Sequence, residues 1–392
     1  MGGQQTGLGS HVRLLRELPV HVALHVRHGL KEEEDCAAGL ELLLMFVDEC
    51  HAPPRDLHMR LLELLEEAAP PVAVQVFNAL RQIQRYHSCG SHKLLWSPVG
   101  EGTRADWMRF LGHVRLLQGP RAFNALLLTQ YYLLVLEESL ILNEAHPDEC
   151  LLAKLMQASG NREDARRALV EVLFDVLAGR TDGTAESDGE ESSDVEMVEA
   201  GAMVDGGEEG DSYLVAQRLL LLVVRLEGMY SLLAPVMSGF SALRSLEEKE
   251  RFLQTLSLPA EKALLLERLL LRDFRHSDSR KAKLLKSAQG PLDVGRLVLY
   301  LELEPKAISK ETRDASKAVR TAATEYLVVA VSHLVQAFLL QHAVLSEAEH
   351  AQLRPAVLRF CKRRALVCRD VGQLRCHFLL AFVDRVPVDA SA

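Results

Sequence analysis

Paired cysteines, catalytic signatures and membrane-length apolar runs are all missing from this 392-residue sequence, and each absence removes a class of function. Cys36, Cys50, Cys89, Cys150, Cys361, Cys368 and Cys376 are odd in number, with no CxxC pair and no regular spacing. That argues against a disulfide framework and against a zinc ribbon. They are expected to be reduced, mostly buried thiols in a reducing compartment. No positively charged start leads into an apolar core and a small-residue cleavage site, so no secretory signal is expected. The most apolar windows, Ala122 to Leu136, Leu214 to Val224 and Tyr326 to Leu340, are interrupted or bounded by Asn, Gln, His or Arg. They fall short of the roughly 20 residues a bilayer span requires and read as core helices. The expected location is nuclear or cytoplasmic, neither secreted nor transmembrane.

Catalytic anchors are missing too. There is no HExxH and no GxSxG, and "GEGTRADW" lacks both the third glycine and the preceding strand of a nucleotide-binding loop. His21, His25 and His28 would share a face if their segment is helical, and histidines at i and i+4 can reach one zinc ion. No acid stands near them at ligand spacing. His87, Cys89 and His92 in "HSCGSH" raise the same question and also lack a fourth ligand. Cys361 and Cys368 fall on one helix face, where core packing is sufficient reason for them. We therefore expect no enzyme activity, no cofactor and no metal; a dispersed His/Cys site is the alternative.

What is present is helix. Hydrophobic residues make up 48% and aromatics only 5%, so the core is built from Leu, Val and Ala, which favour helices. Prolines at 53 and 54, at 70 and 71, and at 147 mark helix starts. Thr103 with Asp106, Ser245 with Glu248 and Ser346 with Glu349 have the spacing of capping boxes. Apolar residues recur at i, i+3, i+4 and i+7, as at Leu61, Leu62, Leu64 and Leu65. The predicted helices before the acidic stretch are 32–49, 54–68, 71–86, 104–117, 120–143, 147–158 and 162–179. After it come 213–233, 245–256, 259–275, 279–288, 291–303, 311–343, 355–369 and 371–384. "PVHVALHV" (19–26) and "RLVLYLEL" (296–303) carry a strand-like alternation, but two isolated strands make no sheet of any size, and both are read as helix. The fold class is all-α, either an irregular helical-repeat solenoid of the HEAT-like kind or a stack of antiparallel helices. That likeness is to an architecture, since no repeat signature is present.

Charge is unevenly spread. Thr181 to Ser212 holds twelve acids and no Lys or Arg, so removing those charges from the formal −9 leaves +3 for the rest. With so little apolar surface the stretch is expected to be a disordered loop between helical regions 1–180 and 213–392. Ser187 and Ser193 each have a Glu three residues later, the pattern an acid-directed kinase reads, and phosphate would deepen the negative charge. "VEMV" (195–198) has the look of a short strand-adding motif. Two basic runs face this loop in chemistry. One holds Arg272, Arg275, Arg280, Lys281, Lys283 and Lys286, the other Arg359, Lys362, Arg363, Arg364 and Arg369. Neither interleaves stacking aromatics, which argues against nucleic acid; the expected partners are other proteins in a complex. "MGGQQT" fits the pattern for myristoylation at Gly2, with Thr6 in the last position. One acyl chain anchors only marginally without a second signal, so membrane contact is expected only if Gly2 is acylated. The leading reading is a non-enzymatic scaffold or adaptor subunit with a tunable acidic loop. A lipid-anchored adaptor is the alternative.

Overall fold

A computed structural model describes residues 16–31, 35–48, 51–87, 102–118, 122–180, 207–288, 290–306 and 316–389. Gly2, Cys50, Cys89, His92, Ser187, Ser193, the VEMV motif and the acidic stretch 181–206 lie outside the described residues. The chain forms two compact units, Met1–Leu226 and Glu227–Ala392. Among the described residues there are 17 α-helices and three two-stranded ladders, so the fold is all-α.

The first unit contains α1 (Val20–Gly29), α2 (Cys36–Phe46), α3 (Arg55–Glu67), α4 (Pro70–Tyr86), α5 (Arg104–Arg115), α6 (Ala122–Leu142), α7 (Leu151–Ala158), α8 (Arg162–Leu177) and α9 (Gly207–Glu227). Its centre is α6, which packs against α3, α4, α5 and α7. Tyr131, Tyr132, Leu133, Val135 and Leu136 are all buried on it, so apolar side chains leave it in every direction, as a helix enclosed by others requires. Tyr131 Oη lies 3.2 Å from Nε2 of His58 on α3, giving a buried polar pair between those helices. At the end of α3, the Glu66 carboxylate takes Arg109 at 2.5 Å and His113 at 3.1 Å from α5. Burial alone would raise Glu66; His113 and Arg109 outweigh it and hold the acid below its usual range. The Asn124 side chain donates to the Glu66 and Ala68 carbonyls, satisfying exposed ends of the same helix.

The second unit contains α10 (Met229–Ala242), α11 (Leu246–Thr255), α12 (Pro259–Asp273), α13 (Ser279–Ser287), α14 (Val294–Leu301), α15 (Ser316–Gln341), α16 (Glu347–Ala365) and α17 (Asp370–Asp384). Here α15 is the enclosed helix, packed by α11, α12, α14 and α17. By length and composition α6 and α15 could each cross a membrane, yet 61% and 72% of their apolar windows are buried within the protein. They are the core helices of the two units.

Most boundaries follow local chemistry. All three capping boxes form, at Thr103, Ser245 and Ser346, and Pro70 and Pro259 open α4 and α12. The 19–26 segment is helical from Val20. Three expectations are corrected. Gly207 to Ser212, expected as loop, forms the first turns of α9, and Ser212 Oγ donates to the Leu117 carbonyl at 3.1 Å. The helix expected over 213–233 is two, broken at Gly228 with φ 73°. Finally, α16 begins at its Ser346 cap rather than at Pro355, which lies inside the helix.

Candidate interaction surface

The two basic runs are separate in sequence and meet around one short ladder. β3 (Phe274–Arg275) pairs antiparallel with β4 (Glu304–Pro305), and Arg275 is the cross-strand partner of Glu304. The first run enters through β3 and continues along α13; the second occupies the last turns of α16, which packs against α14. Glu302 takes Lys281 at 2.5 Å and His276 at 3.0 Å. Burial would raise Glu302, but Lys281 and His276 together hold it below the usual carboxylate range. Two residues on, Glu304 lies 3.9 Å from Arg363. Glu302 caps the end of α14 and Glu304 opens β4 two residues later. Each tethers one run, so both runs border the same surface.

Several of the expected cations are spoken for. Arg272 grips Asp273 through Nε and Nη2 at 2.6 and 2.8 Å and donates to Ser241 at 2.6 Å, while Tyr326 also donates to Asp273. Lys306 donates to the Arg272 carbonyl. Arg364 departs most from expectation: it is 9% exposed, donates to the Leu303 carbonyl at 2.6 Å and lies over the Phe360 ring. Burial lowers its pKa, and it is an internal brace rather than part of a surface. Arg275, Arg280, Lys283, Lys286, Arg359 and Lys362 remain exposed and form no ion pair with a described residue. These six are exposed cations on the elements that flank the ladder, and positive charge of this kind attracts an acidic ligand.

The histidine and cysteine candidates are placed differently. His21, His25 and His28 do share the exposed side of α1, and His25 Nδ1 lies 2.7 Å from the His21 carbonyl. His87 is buried at the end of α4, with Nε2 2.9 Å from the His51 carbonyl. Cys361, Cys368 and Cys376 are buried between α16 and α17, and Cys361 Sγ donates to the Cys376 carbonyl at 3.4 Å. Its interaction with the Cys376 thiol and then burial push the Cys361 thiol up, and burial pushes Cys368 up to about 11. Cys361 and Cys368, raised in this way, pack as small apolar groups, whereas the Cys376 thiol is lowered by its Cys361 partner. Among the described residues, no three His, Cys, Asp or Glu side chains stand in a metal-holding arrangement.

Two polar features have no sequence signal. A cavity of about 470 Å³ in the second unit is lined by Tyr230, Glu267, Arg268, Arg296 and Tyr300, among others. Glu267 is 7% exposed and ion-paired to Arg296, which also donates to the Gly290 and Pro291 carbonyls. Their partners lie 29 residues apart, with no periodic relation to reveal them. The other feature is His333, buried on α15.

The chain matches no protein-family model, and no curated protein is significantly similar to it.

Proposed function

We propose that the chain is a non-enzymatic scaffold or adaptor subunit that holds an acidic segment of a protein partner on the basic face around β3 and β4. The observation that carries this reading is that two runs distant in sequence border one ladder, Lys281 through Glu302 and Arg363 through Glu304, and bring to its flanking elements six exposed cations with no ion pair to a described residue. Charge partition supports it: residues 227–392 hold 25 Lys and Arg against 19 Asp and Glu, a formal +6. The stretch 181–206 carries nine acids and no cation, and it acts in this reading as an internal competitor for the face. Phosphate on Ser187 and Ser193 would add about −1.5 to −2 charges each and strengthen that competition. An array of helices suits the role, because it offers broad rigid surfaces rather than one enclosed site.

The test compares the full-length protein with a variant in which the nine acids of 181–206 are replaced by their amides. The readout is fluorescence anisotropy of a labelled peptide reproducing residues 186–199. The expected result is at least tenfold tighter peptide binding to the amide variant, and weaker binding when the full-length protein is phosphorylated at Ser187 and Ser193. Affinity should fall steeply with salt. Equal affinity in all three proteins would sink the reading, and tighter binding of a duplex oligonucleotide than of the peptide would point to nucleic acid.

A further inference from the structure

The last long helix, α17, is apolar along two separate lines, about 130° apart round the helix. Gly372, Cys376, Leu379 and Val383 recur at helical spacing and are buried. At about 100° per residue, Leu374, Phe378 and Phe382 fall on a second line, away from the first. They are 56%, 66% and 37% exposed. Core packing accounts for the first line and leaves the second without a reason. Single apolar residues on a surface need none, but a row at i, i+4 and i+8, about 12 Å long, forms a ridge. The row begins beside the turn after α16, where Leu366 is 90% and Val367 45% exposed.

Positive charge frames this row. Lys362 and Arg363 lie on the last turn of α16 before Leu366, Arg369 precedes α17 and Arg385 follows it; all four are exposed. Three acids around the row are already engaged. Asp384 is held by Arg354 at 2.6 Å, Glu250 by Arg375, and Glu325 accepts the Arg369 backbone N–H at 3.1 Å.

We propose that the Leu374, Phe378 and Phe382 row, continued by Leu366 and Val367, docks an amphipathic helix of a partner protein that bears large apolar residues on one face and acids beside them. A helix supplies the matching ridge spacing, and its acids answer the cations at both ends. A second copy of this chain fits less well. Antiparallel pairing of α17 with itself would bring Arg369 of one copy toward Arg385 of the other, a like-charge contact. A bilayer fits less well too, because the row is one residue wide and ends in line with Arg385. The proposal shares Lys362 and Arg363 with the basic face and rests on the adaptor reading. It differs in requiring the apolar row.

The experiment uses the full-length protein and a designed, labelled 18-residue helix with Leu at three successive i, i+4 positions and Glu on its flanks. A second probe carries Lys in place of Glu. Two variants separate the readings: Leu374→Gln/Phe378→Gln removes the row, and Lys283→Glu/Lys286→Glu alters the basic face at a distance from it. The expected results are tenfold or weaker binding of the Glu probe to the row variant, and tenfold or weaker binding of the Lys probe to the native protein. This pattern supports the proposal whatever the lysine variant does. Loss with the lysine variant alone would overturn the row and leave the basic face standing. No binding of the Glu probe by the native protein, or equal affinity for both probes, also overturns it. So does a dimer in light scattering, or binding to vesicles of phosphatidylserine and phosphatidylcholine, that the row variant abolishes. Circular dichroism melts check folding, and Phe378→Gln alone replaces the double variant if that melts early.

Discussion

His333 is 5% exposed on α15, and among the described residues neither of its ring nitrogens has a hydrogen-bond partner. Burial first, and Lys262 second, push its pKa down to about 4. An unfolded histidine titrates near 6.5. Between those values the unfolded chain holds a proton that the folded chain refuses, so stability falls as pH drops from about 6.5 to about 4. The full loss is at most about 3 kcal/mol. His333→Leu should therefore flatten the change in urea midpoint between pH 7 and pH 4.5, with the pH 7 midpoint equal or higher. Parallel loss of stability in both proteins would show that other groups set the acid limb. Glu267 shows the opposite shift: burial raises it more than Arg296 lowers it. Removing the cation strands a buried carboxylate, so Arg296→Met should cost about 3–5 kcal/mol near neutral pH. As pH falls, protonation of Glu267 should return part of that loss. Replacing both partners together with apolar residues should cost much less, and urea titrations of the single and double variants check this.

Among the helices, local grammar was readable and long-range choice was not. Ser346 and Glu349 announced the start of α16 three residues apart, and both side-chain-to-backbone bonds of the box form. Ser346→Ala should cost about 1 kcal/mol in chemical denaturation. The same sequence also offered Pro355 as a start, and the cap prevailed because proline removes one N–H while the box satisfies two. Composition does not mark Gly228 as a break, since its φ of 73° is a property of the folded backbone. Arg364 looked like its neighbours Lys362 and Arg363, but helical rotation turns it toward the Leu303 carbonyl. Where α1 meets α2, Gly29 and Gly39 face each other, and a Cβ on Gly29 would lie 3.0 Å from the Gly39 Cα. Backbone cannot yield as a side chain can, so Gly29→Ala should lower stability by about 1–3 kcal/mol. Gly112, inside α5 with nothing within 4 Å of a built Cβ, is the control. There alanine should stabilise by about 0.5–1 kcal/mol. Melts of both variants decide whether close approach or helix propensity governs each site.

Across the whole molecule, charge is divided rather than mixed. Residues 1–226 hold 20 cations against 35 acids, and nine of those acids fall within 181–206. That segmentation was legible in the sequence, whereas the meeting of the basic runs at β4 was not, because it depends on which helices pack together. The nine acids account for the whole formal −9, so replacing them by amides takes the chain to zero net charge at pH 7. A protein without net charge loses the mutual repulsion that keeps copies apart. The apolar row on α17 and the basic face would then meet other copies unopposed. We expect the amide variant to keep its melting temperature, because a stretch so charged and so poor in large apolar residues contributes little to a core. Its solubility in polyethylene glycol titrations at low salt should nevertheless fall, and salt should restore part of it by screening attraction between unlike patches. Unchanged solubility together with an unchanged melt would mean that the acids act within one molecule alone. Lower solubility would mean that they also keep copies of the chain apart.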